Sequence, residues 1–171
     1  MTTSNARTTP KVLVIGLGNP ILMDDGVGVL TAEHVRNVLP ADSGIDVIEL
    51  SVGGITLMEQ MVGYDRVIII DALWTDPTLT GQVVVFDAGD LTETLNTRST
   101  HDSDLPTALY VGRALGADLP PDDAIQIVAV TANHVLDFGD QPTEVVRAAI
   151  PQACRTVLDL IGEATQMVPA P

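Results

Sequence analysis

Two adjacent carboxylates and two residues far downstream could act together chemically. Asp24 and Asp25 stand in KVLVIGLGNPILMDDGVGVL, residues 11–30. Asp71 closes the apolar run Val67-Ile68-Ile69-Ile70. His101 lies in Ser99-Thr100-His101-Asp102-Ser103-Asp104. Asp25, Asp71 and His101 make a three-donor set for a divalent metal that accepts nitrogen and oxygen. The same trio is equally an acid/base set. The loop around Asp25 is Gly-rich, as phosphate cradles are, but it presents negative charge. That suits a cation or proton transfer better than a phosphate.

Each residue also has an ordinary reading. A lone Asp at a strand end is commonly a turn former or cap, which covers Asp71. Asp25 is placed to cap the following helix. Asp24 reads as a cap or a solvated neighbour rather than a second ligand. His101, among Ser, Thr and Asp, reads equally as a surface histidine. His134, after the last strand, is its main competitor. His34 falls on the apolar stripe of the first helix and more than ~10 Å along it from Asp25, so it reads as a packed histidine. Cys154 lies among Val and Leu with no base beside it and reads as core. No Gly-x-Ser-x-Gly elbow and no His-Glu-x-x-His helix is present, which disfavours a serine hydrolase and a zinc peptidase of those types.

These residues are positioned by apolar runs that alternate with helical patterns, the signature of an α/β layer fold. Strands are expected at Lys11–Ile15, Ile45–Leu50, Arg66–Ile70, Gln82–Phe86 and Ile125–Val130. Helices are expected at Gly26–Leu39, with Val27, Leu30, Val35 and Val38 inward, and at Ile55–Val62 and Asp104–Leu115. A last helix should run from near Pro142 to Ile161, with a kink at Pro151. The gap Ala72–Gly81 is too short for a helical crossover, so the fourth strand should run antiparallel. If strands one and three are parallel neighbours, Asp25 and Asp71 converge at the carboxyl edge of the sheet, where open α/β folds bind ligands.

The chain of 171 residues is expected to form one domain over residues 11–163, with a disordered N-terminal tail at 1–10 and a C-terminal tail at 164–171. Residues 1–10 lack the apolar segment of a secretory signal. No apolar run reaches bilayer length. A single cysteine permits no internal disulfide and no Cys-based zinc site. A cytoplasmic protein fits these features. Acidic residues outnumber basic ones 23 to 8, giving a net charge of −15, so nucleic acid is an unsuitable partner.

Several pieces match a known family. They are Gly16-Leu17-Gly18-Asn19 with Asp24-Asp25-Gly26-Val27-Gly28, the Gly53-Gly54 turn, Ile70-Asp71-Ala72, and Ser99-Thr100-His101. By these, over about residues 11–116, the chain resembles the NiFe-hydrogenase maturation endopeptidases. The resemblance implies a three-layer α/β/α fold. Its five-stranded mixed sheet would have the order 2-1-3-5-4, with strand 4 antiparallel. It implies removal of a C-terminal extension from a NiFe-hydrogenase large-subunit precursor after nickel insertion. The partner is then that precursor, with neither nucleic acid nor membrane involved. No cofactor would be tightly bound, because the nickel is carried by the precursor. Carried over by motif, Asp25, Asp71 and His101 would be both the nickel-contacting and the catalytic residues. One stretch departs from the family. Thr131-Ala132-Asn133-His134 stands where many members carry Gly-hydrophobic-Glu-Pro.

Two rivals are weaker. Val14-Ile15-Gly16-Leu17-Gly18-Asn19-Pro20 is similar to the opening of bacterial peptidyl-tRNA hydrolase, but that enzyme's Gly-Tyr and Arg-His-Asn segments and basic surface are missing. The non-enzyme rival is a checkpoint module that grips the immature large subunit without cutting it. An intact three-residue site argues against it.

Overall fold

The computed structural model describes residues 9–92 and 105–166. Among the described residues five strands are present: β1 (Val12–Leu17), β2 (Ile45–Leu50), β3 (Arg66–Trp74), β4 (Val83–Asp87) and β5 (Ile125–Ala132). Among the described residues the α-helices are α1 (Val27–Val38), α2 (Gly54–Gln60), α3 (Leu105–Ala114) and α4 (Glu144–Gln166). The sheet order is β2-β1-β3-β5-β4. β1 pairs in parallel with β2 and β3, and β3 with β5. β4 runs antiparallel to β5, as the short connection requires.

Strand alternation sends successive side chains to opposite faces. On one face Val12, Val14, Ile68 and Ile70 pack with residues of α1 and α4, including Val35 and Val157. On the other, Leu13, Ile15, Val67 and Ile69 pack with Leu57 and Met61 beside α2 and with Leu105 and Leu109 of α3. Every residue of β1 is therefore buried. This double cover explains why the central strands read as unbroken apolar runs. Among the described residues no helix is long and apolar enough to cross a membrane.

Four local expectations are corrected. β3 does not stop at Ile70 but continues to Trp74, because β5 offers it partners as far as Ala132. Val38 is 62% exposed rather than inward, since α1 ends there. His34 is exposed, with Nδ1 2.8 Å from the Leu30 carbonyl one turn back. The buried stripe of α1 is Val27, Thr31, Ala32 and Val35 instead. α4 starts at Glu144, two residues beyond Pro142, and extends to Gln166 with Pro151 inside it.

Candidate functional site

The buried carboxylates among the described residues are Asp24, Asp25 and Asp71, exposed by 0%, 4% and 1%. Burying a carboxylate is costly unless hydrogen bonds or charges compensate it. Three of them at one sheet edge need a reason, and the local structure supplies part of it.

The loop after β1 places the first two. Gly18 adopts φ +136°, and its N–H donates to the Leu50 carbonyl at 3.0 Å, turning the chain across the end of β2. A side chain there would collide with the Asp25 carbonyl oxygen. The chain thus folds back on itself, and the Asn19 N–H donates to the Asp25 carboxylate at 2.7 Å. Asp25 has a further interaction besides this one. The N-cap position of α1 is Gly26, which has no side chain to cap with. A turn of 3₁₀ helix, Met23–Gly26, then leads into α1. Acids in that turn sit where the helix dipole favours negative charge.

Asp71 arrives from β3. The last β3 residue paired with β1 is Ile70, opposite Gly16. Asp71 is the first beyond that pairing, still held by β5 opposite Ala129. Its carboxylate accepts from the Ala72 N–H at 2.8 Å and has a further interaction. It shares the parity of Val67 and Ile69, and so belongs to the face covered by α2 and α3.

Gly28 sets how closely the start of α1 approaches the strand ends next to the two acids. A Cβ at this position would overlap the carbonyl oxygens of both Leu17 and Ile70. Only glycine lets the start of α1 sit this close to the ends of β1 and β3. Asp25 is three residues before this contact and Asp71 one residue after it. The topology therefore brings Asp25 and Asp71 to the same carboxyl edge. His101 falls outside the described residues. The first described residue after it, Leu105, is buried against the same face as Ile69.

Asp24 has a different task, one that the sequence does not disclose. One carboxylate oxygen accepts from the Thr143 N–H at 2.7 Å. The other accepts from His134 N–H at 3.1 Å and Asn133 N–H at 3.4 Å. Its own N–H donates to the His134 carbonyl at 3.2 Å. Asp24 ties the loop after β1 to the loop between β5 and α4. It acts as a cap, but for the approach to α4 rather than for α1, and it is buried rather than solvated. The adjacent pair Asp24-Asp25 was the available signal; the partners lie more than 100 residues away and leave no local mark.

The segment Thr131–His134, which spans the end of β5, also braces this edge. The Thr131 hydroxyl donates to the Leu79 carbonyl at 2.5 Å and accepts from the Gln82 N–H at 2.8 Å. The Asn133 amide donates to the Thr75 carbonyl at 3.1 Å. The His134 ring, half exposed, is engaged by Asp137 at 2.6 Å. Cys154 lies in the core with α4, and burial pushes its thiol up, away from thiolate chemistry. Among the described residues no cluster of three or more His, Cys, Asp or Glu is arranged to hold a metal ion.

This fold has counterparts among known proteins. The family described as HycI, hydrogenase maturation protease, matches residues 29–160. The chain is 25% identical to the hydrogenase expression/formation protein HoxM of Azotobacter vinelandii, over 96% of this chain and 84% of that one. It is 29% identical to the hydrogenase 2 maturation protease of Escherichia coli, over 44% of this chain and 46% of that one. Among solved structures, the hydrogenase maturating endopeptidase HybD from E. coli superposes with a TM-score of 0.75 at 25% identity, covering 90% of this chain and 93% of that one. The [NiFe] hydrogenase maturation protease HybD from Thermococcus kodakarensis gives 0.73 at 27% identity, covering 88% and 99%.

Proposed function

Because the chain belongs to the HycI family of hydrogenase maturation proteases, we propose that its Asp25–Asp71 crevice, completed by His101, reads nickel already seated in a hydrogenase large-subunit precursor. The activity itself is that of an endopeptidase acting at the C-terminus of the hydrogenase large subunit. The observation that supports this crevice is the burial of Asp25 and Asp71 at the carboxyl edge, against the tight contact of Gly28 with β1 and β3.

Two carboxylates and an imidazole suit a borderline divalent metal. Three donors without a fourth leave coordination positions for groups of the precursor. The nickel is part of the substrate. Held by Asp25, Asp71 and His101, it fixes the scissile peptide beside the site, so attack by water becomes a local event. It also polarises the carbonyl or the attacking water. The Asn19 N–H bond to Asp25 and the Ala72 N–H bond to Asp71 hold the two carboxylates in place before substrate arrives. No cofactor of the protease's own enters this scheme.

The test mixes the protein with its cognate precursor, nickel-free and nickel-loaded, and weighs the products by mass spectrometry. One C-terminal peptide released only from the loaded form is expected. A synthetic peptide copying the extension should resist cutting. Equal cutting of both precursor forms would show that nickel is not the handle. Asp71→Asn should abolish processing while thermal unfolding stays close to wild type. Wild-type processing by that variant would remove Asp71 from the site.

A further inference from the structure

The loops that Asp24 ties together expose large apolar side chains. Ile21 is 58% exposed, Leu136 74% and Phe138 84%. Single exposed hydrophobics are ordinary. These three sit on two segments zipped to each other. Leu22 and Gly139 form a parallel bridge. The Gly139 N–H donates to the Ile21 carbonyl at 3.0 Å, and the Met23 N–H donates to the Gly139 carbonyl at 3.1 Å. Met23 is held at φ +22°, a backbone state that a residue with a side chain occupies only under local constraint. The buried Asp24 carboxylate adds three bonds from behind. The apolar side chains are thus mounted on a braced pair of segments, a few residues along the chain from Asp25.

The two segments that carry them hold carboxylates and no Lys or Arg, and the His134 ring engages one of those carboxylates, Asp137. Asp137 and Asp140 are exposed on the same loop. The chain carries no Lys or Arg between Lys11 and Arg36, nor between Arg113 and Arg147. A partner that covers this patch must offer apolar side chains and compensating cations. The segment carrying Ile21 leads directly into Asp24 and Asp25, and Asp24 ties it to the loop that carries Leu136 and Phe138.

We propose that Ile21, Leu136 and Phe138 form a docking prong that seats an apolar, Lys/Arg-flanked segment of the large-subunit precursor beside the Asp25–Asp71 crevice. This rests on the proposed function above. The prong selects the precursor, and the crevice reads its metal. Exposed apolar anchors beside an active crevice act mainly on binding rather than on the chemical step.

The experiment uses the full chain and its nickel-loaded precursor. A Leu136→Ser/Phe138→Ser double variant should raise KM by about tenfold or more, with kcat within about twofold of wild type, because it removes binding shared by ground and transition states. Leu115→Ser, which alters an equally exposed leucine just beyond α3, should leave both constants unchanged. Asp137→Asn/Asp140→Asn should flatten the rise of KM with added salt. Circular dichroism and melting temperature verify that each variant is folded. An unchanged KM for the double variant, with wild type cutting normally, would overturn the prong and leave the protease reading intact. So would a wild-type dimer in sedimentation that the double variant dissolves, since a second copy would then be the occupant. Failure of wild type to bind or cut the loaded precursor would overturn both readings.

Discussion

At the scale of single residues, adjacent carboxylates divide the work. Asp25 is held by the Asn19 amide in its own loop, whereas Asp24 spends its oxygens on three amides of a distant loop. The two should respond differently to substitution. Asp24→Ala leaves those N–H groups without their acceptor in a partly buried setting, at about 1 kcal/mol each, the low end of that cost. The expected loss is on the order of 3 kcal/mol or more, a fall in melting temperature of roughly 6 °C or more for a chain of this size. Asp25→Asn keeps the shape and an acceptor for the Asn19 amide, so it should unfold near wild type yet fail to process precursor. Thermal denaturation and the cleavage assay, run on both variants, separate the roles. Equal melting of Asp24→Ala and wild type would remove the bracing role.

At the scale of elements, the proposed site should depend on how closely α1 approaches the sheet. The start of the helix touches carbonyls of both β1 and β3 at Gly28. A methyl group there meets backbone rather than a flexible side chain, so the helix must move. Gly28→Ala should destabilise by about 1–3 kcal/mol, the usual cost of overpacking, and should cut processing more than that loss of stability predicts. The reason is that Asp25 rides on the turn leading into α1 while Asp71 stays with β3. Measuring melting temperature and cleavage rate at a temperature where the variant is fully folded distinguishes the two effects. A full rate in the folded variant would show that the approach of α1 does not set the crevice.

At the scale of the whole molecule, the net charge of −15 makes the folded chain repel itself. Such repulsion weakens compact states and is screened by salt. The melting temperature should therefore rise between about 0.01 M and 0.3 M sodium chloride, as the screening length falls from roughly 30 Å to less than 10 Å. Differential scanning calorimetry across that range checks this, and a flat or falling melting temperature would count against it. The same excess of acid bears on partner choice. Phosphate-rich partners are repelled, whereas a protein partner with basic flanks is drawn in, which agrees with the charge around Ile21, Leu136 and Phe138.

Much of this was legible in the residues before any coordinates. Periodicity located all five strands, because strands covered on both faces are written as apolar runs. The ten-residue gap before β4 implied an antiparallel strand, since a parallel crossover needs more chain. The glycines and acids of residues 16–28 marked the tight loop after β1 that buries Asp24 and Asp25, because that turn chemistry is local. What the tertiary structure alone decided was non-local. β3 continues past Asp71 because β5 pairs with it that far, and His34 turns outward because the buried stripe of α1 follows its packing against the sheet and α4. Asp24 became a brace because Asn133, His134 and Thr143 come to it from the far end of the chain. A hydrogen bond between residues more than 100 positions apart has no period and no neighbour to announce it; folding alone brings its two ends together.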